Sequence, residues 1–427
     1  MTTNRTLSIH QPEDILGYIP HMLGYWPEDS LVAITMQGKV LGATLRVDLP
    51  VLSPADWLPC FAEQILSYLI ADEAANGVVL AVYTAEGWND GTVIQRTAPL
   101  LDALRASFDR AGLTVRDAWL VGTDYWRGAY CEDGGCCPIP GFPIERIKES
   151  RLSTELVYQG SAVGPFPGKG ADGLRLARPG AHDSRVLEAE DGFDDNVLPL
   201  WRSEACFDSV LAVWRHVLDR HHRGDPLEPS DDAGLMGFLR TTLKIPAWRD
   251  AVVVMAAAGV GAAKAGAAGF GFFEAEDPLA GSFDPSEVGV DTRATQDRCA
   301  TGAGPSAGSA AGSSETLDVY TYGDVLLGMR PELPCWKDLD VLQQLLAGLG
   351  VDGEQGEVAA AALTLQGWIF WCKGMGTVAH ACLSRALEAH ANYRLAELLM
   401  GVMGQGSVCG WARRPDSAWK GSRNVPV

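Results

Sequence analysis

Hydrophobic positions in the first third of the chain follow two rhythms. Residues 30–36 and 40–47 are runs rich in aliphatic and β-branched side chains, parted by Gln37-Gly38-Lys39, the signature of a β-hairpin. Leu58, Phe61, Ile65, Leu66, Leu69 and Ile70 then recur at helical spacing. Ser53 stands as the N-cap of that helix and Pro54 at its first position. Gly77 closes the helix, and residues 78–83 read as a buried strand. A second helix spans about 96–111 and stops at Gly112, residues 115–121 form a further strand, and 125–130 a short one. The order β-β-α-β-α-β-(β) predicts an α/β N-terminal domain, a mixed sheet with flanking helices, over residues 1–160.

Beyond it the rhythm is helical. A short helix follows from residues 141–155, a Gly/Pro-rich loop covers 160–173, and an amphipathic helix spans about 205–222. Two more helices are predicted near 232–244 and 247–258, so residues 161–258 read as a helical extension packing on the first domain. At Gly259 the composition changes to Gly, Ala, Ser, Asp and Pro, with a low-complexity run at 301–314. Such a segment buries too little apolar surface to offset its ordering entropy, which predicts a disordered insert or linker over 259–315. An all-α C-terminal domain over 316–410 and a loose tail over 411–427 complete the expected organisation. Within the helical domain Gly367, Phe370, Ala379, Leu383 and Ala386 fall at the spacings of a tetratricopeptide repeat. Its terminal proline position holds Ala391, and one unit is visible where solenoids need about three. An ordinary helical hairpin with small residues at a close crossing explains the same pattern.

The chain has 427 residues, 47% of them hydrophobic and 21% charged, so it has material for more than one core. A formal charge of −20 repels phosphate backbones and anionic lipids at long range, so neither nucleic acid nor membrane is an expected partner. The first residues lack a basic region followed by an apolar one, and no apolar window is long enough to span a bilayer. A cytoplasmic protein is expected, with reduced thiols.

Chemistry is concentrated in one place. Three of ten cysteines, Cys131, Cys136 and Cys137, fall within seven residues, beside Glu132 and Asp133. A structural zinc needs about four ligands, so His182 or another segment would have to complete a site here. A redox thiolate needs a basic neighbour or helix N-terminus, and acidic neighbours disfavour it. The third reading is a loop-fixing element. Cys60, Cys372 and Cys382 lie on apolar helical stretches as small core residues. Gly259-Val-Gly261 lacks a dinucleotide fingerprint, because Lys264 stands where glycine is required, and no Walker loop, H-E-x-x-H pair or G-x-S-x-G elbow occurs. Asp29, Ser30 and Asp48 flank the first two strands and place acid and hydroxyl groups near one sheet edge, where turn and cap chemistry also uses them. Asp124, Tyr125 and Arg127 form a similar group at the last strand.

Residues 14–32, with Leu23-Gly24-Tyr25-Trp26-Pro27 at their centre, followed by Arg46-Val-Asp-Leu-Pro50, resemble an actinobacterial family known as domain of unknown function 4192. The Cys131-to-Pro138 loop and the Gly374-Met-Gly376 turn before an Ala/Leu-rich helix are similar to that family too. The resemblance implies a cytoplasmic actinobacterial protein and supplies no activity. Missing catalytic signatures, the acidic surface and the repeat-like helices lead to the expectation of a non-enzymatic scaffold or regulator that binds a protein partner, with no cofactor. The alternatives are a metal-dependent (zinc) or thiol-based enzyme built on the cysteine loop, and a small-ligand sensor.

Overall fold

A computed structural model describes residues 9–50, 55–131, 133, 135–161, 163–164, 176–273, 283–291, 321–405 and 407–420. The chain divides into two units, residues 1–174 and 175–427.

The first unit is built on a mixed sheet of order β2-β1-β3-β4-β5-β6. Its strands are β1 (Ser30–Gln37), β2 (Val40–Asp48), β3 (Gly77–Tyr83), β4 (Thr114–Val121), β5 (Tyr125–Gly128) and β6 (Phe142–Pro143). The hairpin expected around Gly38 joins β1 to β2, with Gly38 at φ 65°, a value that favours glycine. β3 and β4 run parallel and every other pair is antiparallel. The helices here are α1 (Pro12–Leu23), α2 (Leu58–Leu69), α3 (Val93–Arg110), α4 (Glu145–Lys148) and α5 (Arg151–Tyr158). The cap expected at Ser53 and Pro54 lies outside the described residues.

Both faces of the central strands are covered, which is why their sequences run almost without a polar break. Side chains alternate across the sheet, so Leu31, Ala33, Leu80, Val82 and Leu120 pack on α2 and α3. Val32, Ile34, Val79, Ala81 and Trp119 face the other way, against Leu16 and Ile19 of α1 and Ile144 and Ile147 beside α4. Gly24 ends α1 in the left-handed region (φ 81°), its N–H donating to the Pro20 carbonyl at 2.8 Å.

The second unit is helical: α6 (Ser184–Asn196), α7 (Glu204–His222), α8 (Pro229–Leu243), α9 (Pro246–Ala258), α10 (Val260–Gly269), α11 (Tyr322–Leu326), α12 (Trp336–Leu349), α13 (Glu357–Cys372), α14 (Gly376–Ala389), α15 (Arg394–Gly404) and α16 (Gly410–Arg413). Helices α6 to α9, expected as an extension of the first domain, group instead with the C-terminal helices. A buried guanidinium is one cause. Arg240 on α8 donates through Nε to Glu190 of α6 (2.6 Å), through Nη2 to Glu354 (2.6 Å), and through Nη1 to the Leu349 carbonyl at the end of α12 (2.7 Å).

Part of the stretch whose composition predicts disorder is ordered. α10 lies in it, and its small residues are the reason: Gly266 lets the Tyr322 ring approach the backbone, while Tyr322 Oη donates to the Ala263 carbonyl at 2.7 Å. Phe283 stacks on Phe238 with ring centroids 4.3 Å apart. Residues 274–282 and 292–315 lie outside the described residues. The beginning of the predicted loose tail is likewise packed. Trp411 is fully buried and donates to the Pro331 carbonyl (2.7 Å), and the Ser417 carbonyl accepts from Trp336 Nε1 (2.8 Å). Among the described residues no helix is long and apolar enough to cross a membrane.

Every residue of α13 after Glu357 is buried. A Cβ at Gly367 would stand 3.0 Å from Leu383 Cγ and 3.1 Å from the Ala379 carbonyl, so the α13–α14 crossing depends on a missing side chain. Gly367→Val is therefore expected to lower stability by about 1–3 kcal/mol, read as a lower denaturant midpoint. An unchanged midpoint would show slack in the crossing. Burial alone would raise the Glu354 carboxyl, but hydrogen bonds from His182 and Arg240 outweigh it and hold the group at about 2, against the ordinary 4.5. A depressed folded value stabilises above the unfolded one, so this contribution is complete above about pH 4.5 and is lost as pH falls toward 2. Denaturant titrations across that window should show a steeper loss in wild type than in Glu354→Gln.

Candidate functional site

Two groups of candidate residues occupy different parts of the sheet. Ser30 pairs with Asp48 on one side and Tyr83 on the other, and Tyr83 pairs with Val121, so the ends of four strands line up. Asp29, Ser30, Asp48, Asp124 and Tyr125 all stand at that edge. The Ser30 hydroxyl donates to the Glu28 carbonyl and accepts from Arg46 Nε (2.8 Å) and Nη2 (2.6 Å), while Arg46 Nη1 meets Asp48 at 2.6 Å. Asp29, at φ 39°, accepts from the Leu49 N–H with its carbonyl at 2.7 Å, and the Asp124 carbonyl accepts from Ile144 at 2.9 Å. Ser30 is fully buried and bonded to a cation rather than to a base. This arrangement fixes a corner and does not prepare a nucleophile.

Arg127, grouped by sequence with Asp124 and Tyr125, belongs elsewhere. It pairs with Leu120, so its side chain leaves the sheet on the α3 face, and the chain departs at the level of Ala118, which accepts from the Ala129 N–H at 2.8 Å. There the cysteine loop turns back. The Asp133 carbonyl accepts from the N–H groups of Cys136 (3.1 Å) and Cys137 (2.7 Å), and Asp133 Oδ1 accepts from the Gly135 N–H at 2.8 Å. This turn brings residues far apart along an extended chain into one cluster. The Sγ atoms of Cys131, Cys136 and Cys137 all lie within 4.8 Å of one another.

Exposure grades across the cluster: Cys137 is buried, Cys131 half-buried and Cys136 exposed. Gly128 forms part of the floor, since a Cβ there would contact both Cys131 Cβ and Cys137 Sγ at 3.5 Å. Beneath the loop Arg127 is 5% exposed and donates through Nη2 to the Cys131 carbonyl at 2.9 Å. Its Nε is buried with no hydrogen-bond partner, and among the described residues no carboxylate pairs with it.

Two of the thiols, Cys131 and Cys136, differ in acidity. A hydrogen bond from Cys137 first, and backbone hydrogen bonding at Asp133 second, hold the Cys131 thiol below its ordinary 9.0. The hydrogen bond with Cys131 and the charge on that sulfur push Cys136 up to about 11. Of the two, Cys131 is thus the more acidic thiol.

His182, offered by the sequence as a further ligand, lies in the second unit with Nε2 2.9 Å from Glu354 Oε2. Cys372 and Cys382 are fully buried as expected, whereas Cys60 faces solvent on α2, a side of the helix that its apolar stretch concealed. Sequence reasoning missed Asp133 as the residue that folds the loop. The signal was present, because Asp followed by glycines is turn chemistry in which the carboxylate bonds backbone N–H two residues on.

A protein-family model described as a domain of unknown function (DUF4192) matches residues 12–268 and 344–407. The matched stretches take in the whole sheet, the cysteine loop and most of the helical unit, and they omit the Gly/Ala/Ser-rich run. No curated protein and no solved structure matches the chain.

The difference in thiol acidity is open to measurement. At neutral pH, iodoacetamide is expected to label Cys131 ahead of the more exposed Cys136, followed by peptide mass mapping over time. Faster labelling of Cys136 would mean that exposure governs reactivity here.

Proposed function

The chain belongs to the DUF4192 family, and, since that membership carries no chemistry, we propose from its own residues that the N-terminal unit binds a thiophilic divalent cation, zinc, through Cys131, Cys136 and Cys137. The single observation that carries this reading is three sulfurs converging within 4.8 Å on a hydrogen-bonded turn. Zinc–sulfur bonds of about 2.3 Å place tetrahedral sulfurs roughly 3.8 Å apart, so closure asks for a small contraction and no refolding. Three protein ligands leave a fourth position, on the side where Cys136 meets solvent, for water or a donor from another molecule. Arginine, glycine and the Asp133 turn hold the loop, which favours a site that regulates or scaffolds over a mobile redox centre. We place this protein in the cytoplasm, where reducing conditions keep such thiols available.

A second reading, binding of a protein partner by a tetratricopeptide-like pair, draws support from α13 and α14. Gly367, Ala379 and Leu383, residues picked out by the repeat pattern, meet at the crossing. Because α13 is enclosed by its neighbours, a partner on this pair would meet the outer side of α14, where His380 and Glu388 are exposed.

Protein purified without chelator is expected to carry about one zinc per chain by elemental analysis, each sulfur being one ligand of a single site. Cys131→Ser and Cys136→Ser should each abolish stoichiometric uptake while leaving the circular dichroism spectrum unchanged. Metal-free wild type that takes up no zinc or cobalt on addition would end the proposal.

A further inference from the structure

Among the described residues the cation under the thiol loop has no carboxylate paired with it. Arg127 is buried, its one hydrogen bond goes to a neutral carbonyl, and its Nε has no partner. Two other buried arginines are paired with carboxylates: Arg240 has Glu190 and Glu354, and Arg249 has Asp250. A charged group withdrawn from water without an opposite charge is strongly disfavoured, so an unpaired arginine held in this position calls for an anion beside it. The Cys131 carbonyl that Arg127 holds belongs to a candidate ligand, so the guanidinium is one hydrogen bond from the backbone of the cluster.

We infer that Arg127 is the counter-charge of the metal centre, offsetting the net negative charge that three thiolates leave around a divalent cation. The inference rests on the zinc reading above. Three thiols lose their protons to bulk water, and three thiolates around a divalent cation leave one net negative charge. Arg127 offsets it, while the Asp133 carboxylate in the same turn adds negative charge to the loop. Arg127 is a positioning residue in this scheme: it touches the Cys131 backbone and acts on the metal through the field it sets up. Such outer-shell partners typically change metal affinity by about 10- to 100-fold.

The test compares full-length wild type with Arg127→Met, which keeps length without charge, and Arg127→Lys, which keeps charge. Cobalt(II) is titrated in with zinc displacement and chelator competition at fixed pH, and each variant is first checked by thermal melt. Arg127→Met is expected to weaken zinc about 10- to 100-fold and to reduce the sulfur-to-cobalt charge-transfer intensity, which scales with thiolate number, from a three-thiolate toward a two-thiolate value. Arg127→Lys should restore most of both. Equal loss in Lys and Met variants would assign Arg127 to packing, and wild-type affinity in the Met variant would remove it from the site; either overturns the inference while leaving zinc binding intact. If Arg127→Met fails to fold, Arg127→Gln with Arg127→Lys gives the same comparison. Wild type that binds no cobalt defeats the underlying reading instead. Arg127-dependent binding of inorganic phosphate to the metal-free protein would overturn the inference by showing that the arginine serves an oxyanion.

Discussion

A guanidinium taken out of water must be given both hydrogen-bond acceptors and compensating charge, and this constraint organises each unit. In the helical unit Arg240 gathers Glu190, Glu354 and the last carbonyl of α12 around itself, joining elements more than a hundred residues apart in sequence. Removing one partner from such a set leaves a buried charge uncompensated, which typically costs about 3–5 kcal/mol. Arg127 in the sheet unit obeys the hydrogen-bond half of the rule in part, and among the described residues no carboxylate meets the charge half. A requirement met in one place and left open in another is what gives the cysteine loop its chemical interest.

The sheet converts a linear cysteine motif into a cluster. β4 is locked to β3 by a parallel ladder, and β5 returns antiparallel for only four residues before the chain leaves the sheet at Ala118. Short pairing releases the backbone where Asp133 can close a turn, and the alternation of side chains sends Arg127 and Trp126 to opposite faces. Trp126 joins the core with Trp119 and Val121. Arg127 is left under the thiols, so one strand of four residues supplies both an anchor and a charge.

Much of the sheet unit was legible in the sequence because its signals are local. The Gly38 turn, the Gly112 stop and the apolar strands each announce themselves within a few residues, and the hairpin and both long helices appear where the pattern put them. Strand order is another matter: that β1 sits between β2 and β3 is a fact about long-range pairing that no window contains. The Gly/Ala-rich stretch misled for a definite reason. Composition scores small residues as poor core formers, yet at Gly266 smallness is what admits the Tyr322 ring. The tail misled likewise, since burial of Trp411 depends on the distant Pro331 carbonyl and on two other tryptophans, Trp336 and Trp368. At the site, the three cysteines were visible at once, while the part played by Arg127 required knowing which face of β5 it occupies.

The enclosure of α13 bears on the order of events during synthesis. Its tryptophans hydrogen-bond to carbonyls on either side in sequence, Trp368 to Leu326 and Trp371 to Ser407, and Trp368 also packs on Trp411. That helix cannot reach its final surroundings until the chain near residue 411 has left the ribosome. The two hydrophobic clusters of the sheet unit, by contrast, are complete by Ile147. At 5–20 residues per second the interval between the two is roughly tens of seconds. The thiol loop is therefore finished while the helical unit is still being made, so the proposed metal would load during translation, in the order in which the chain emerges.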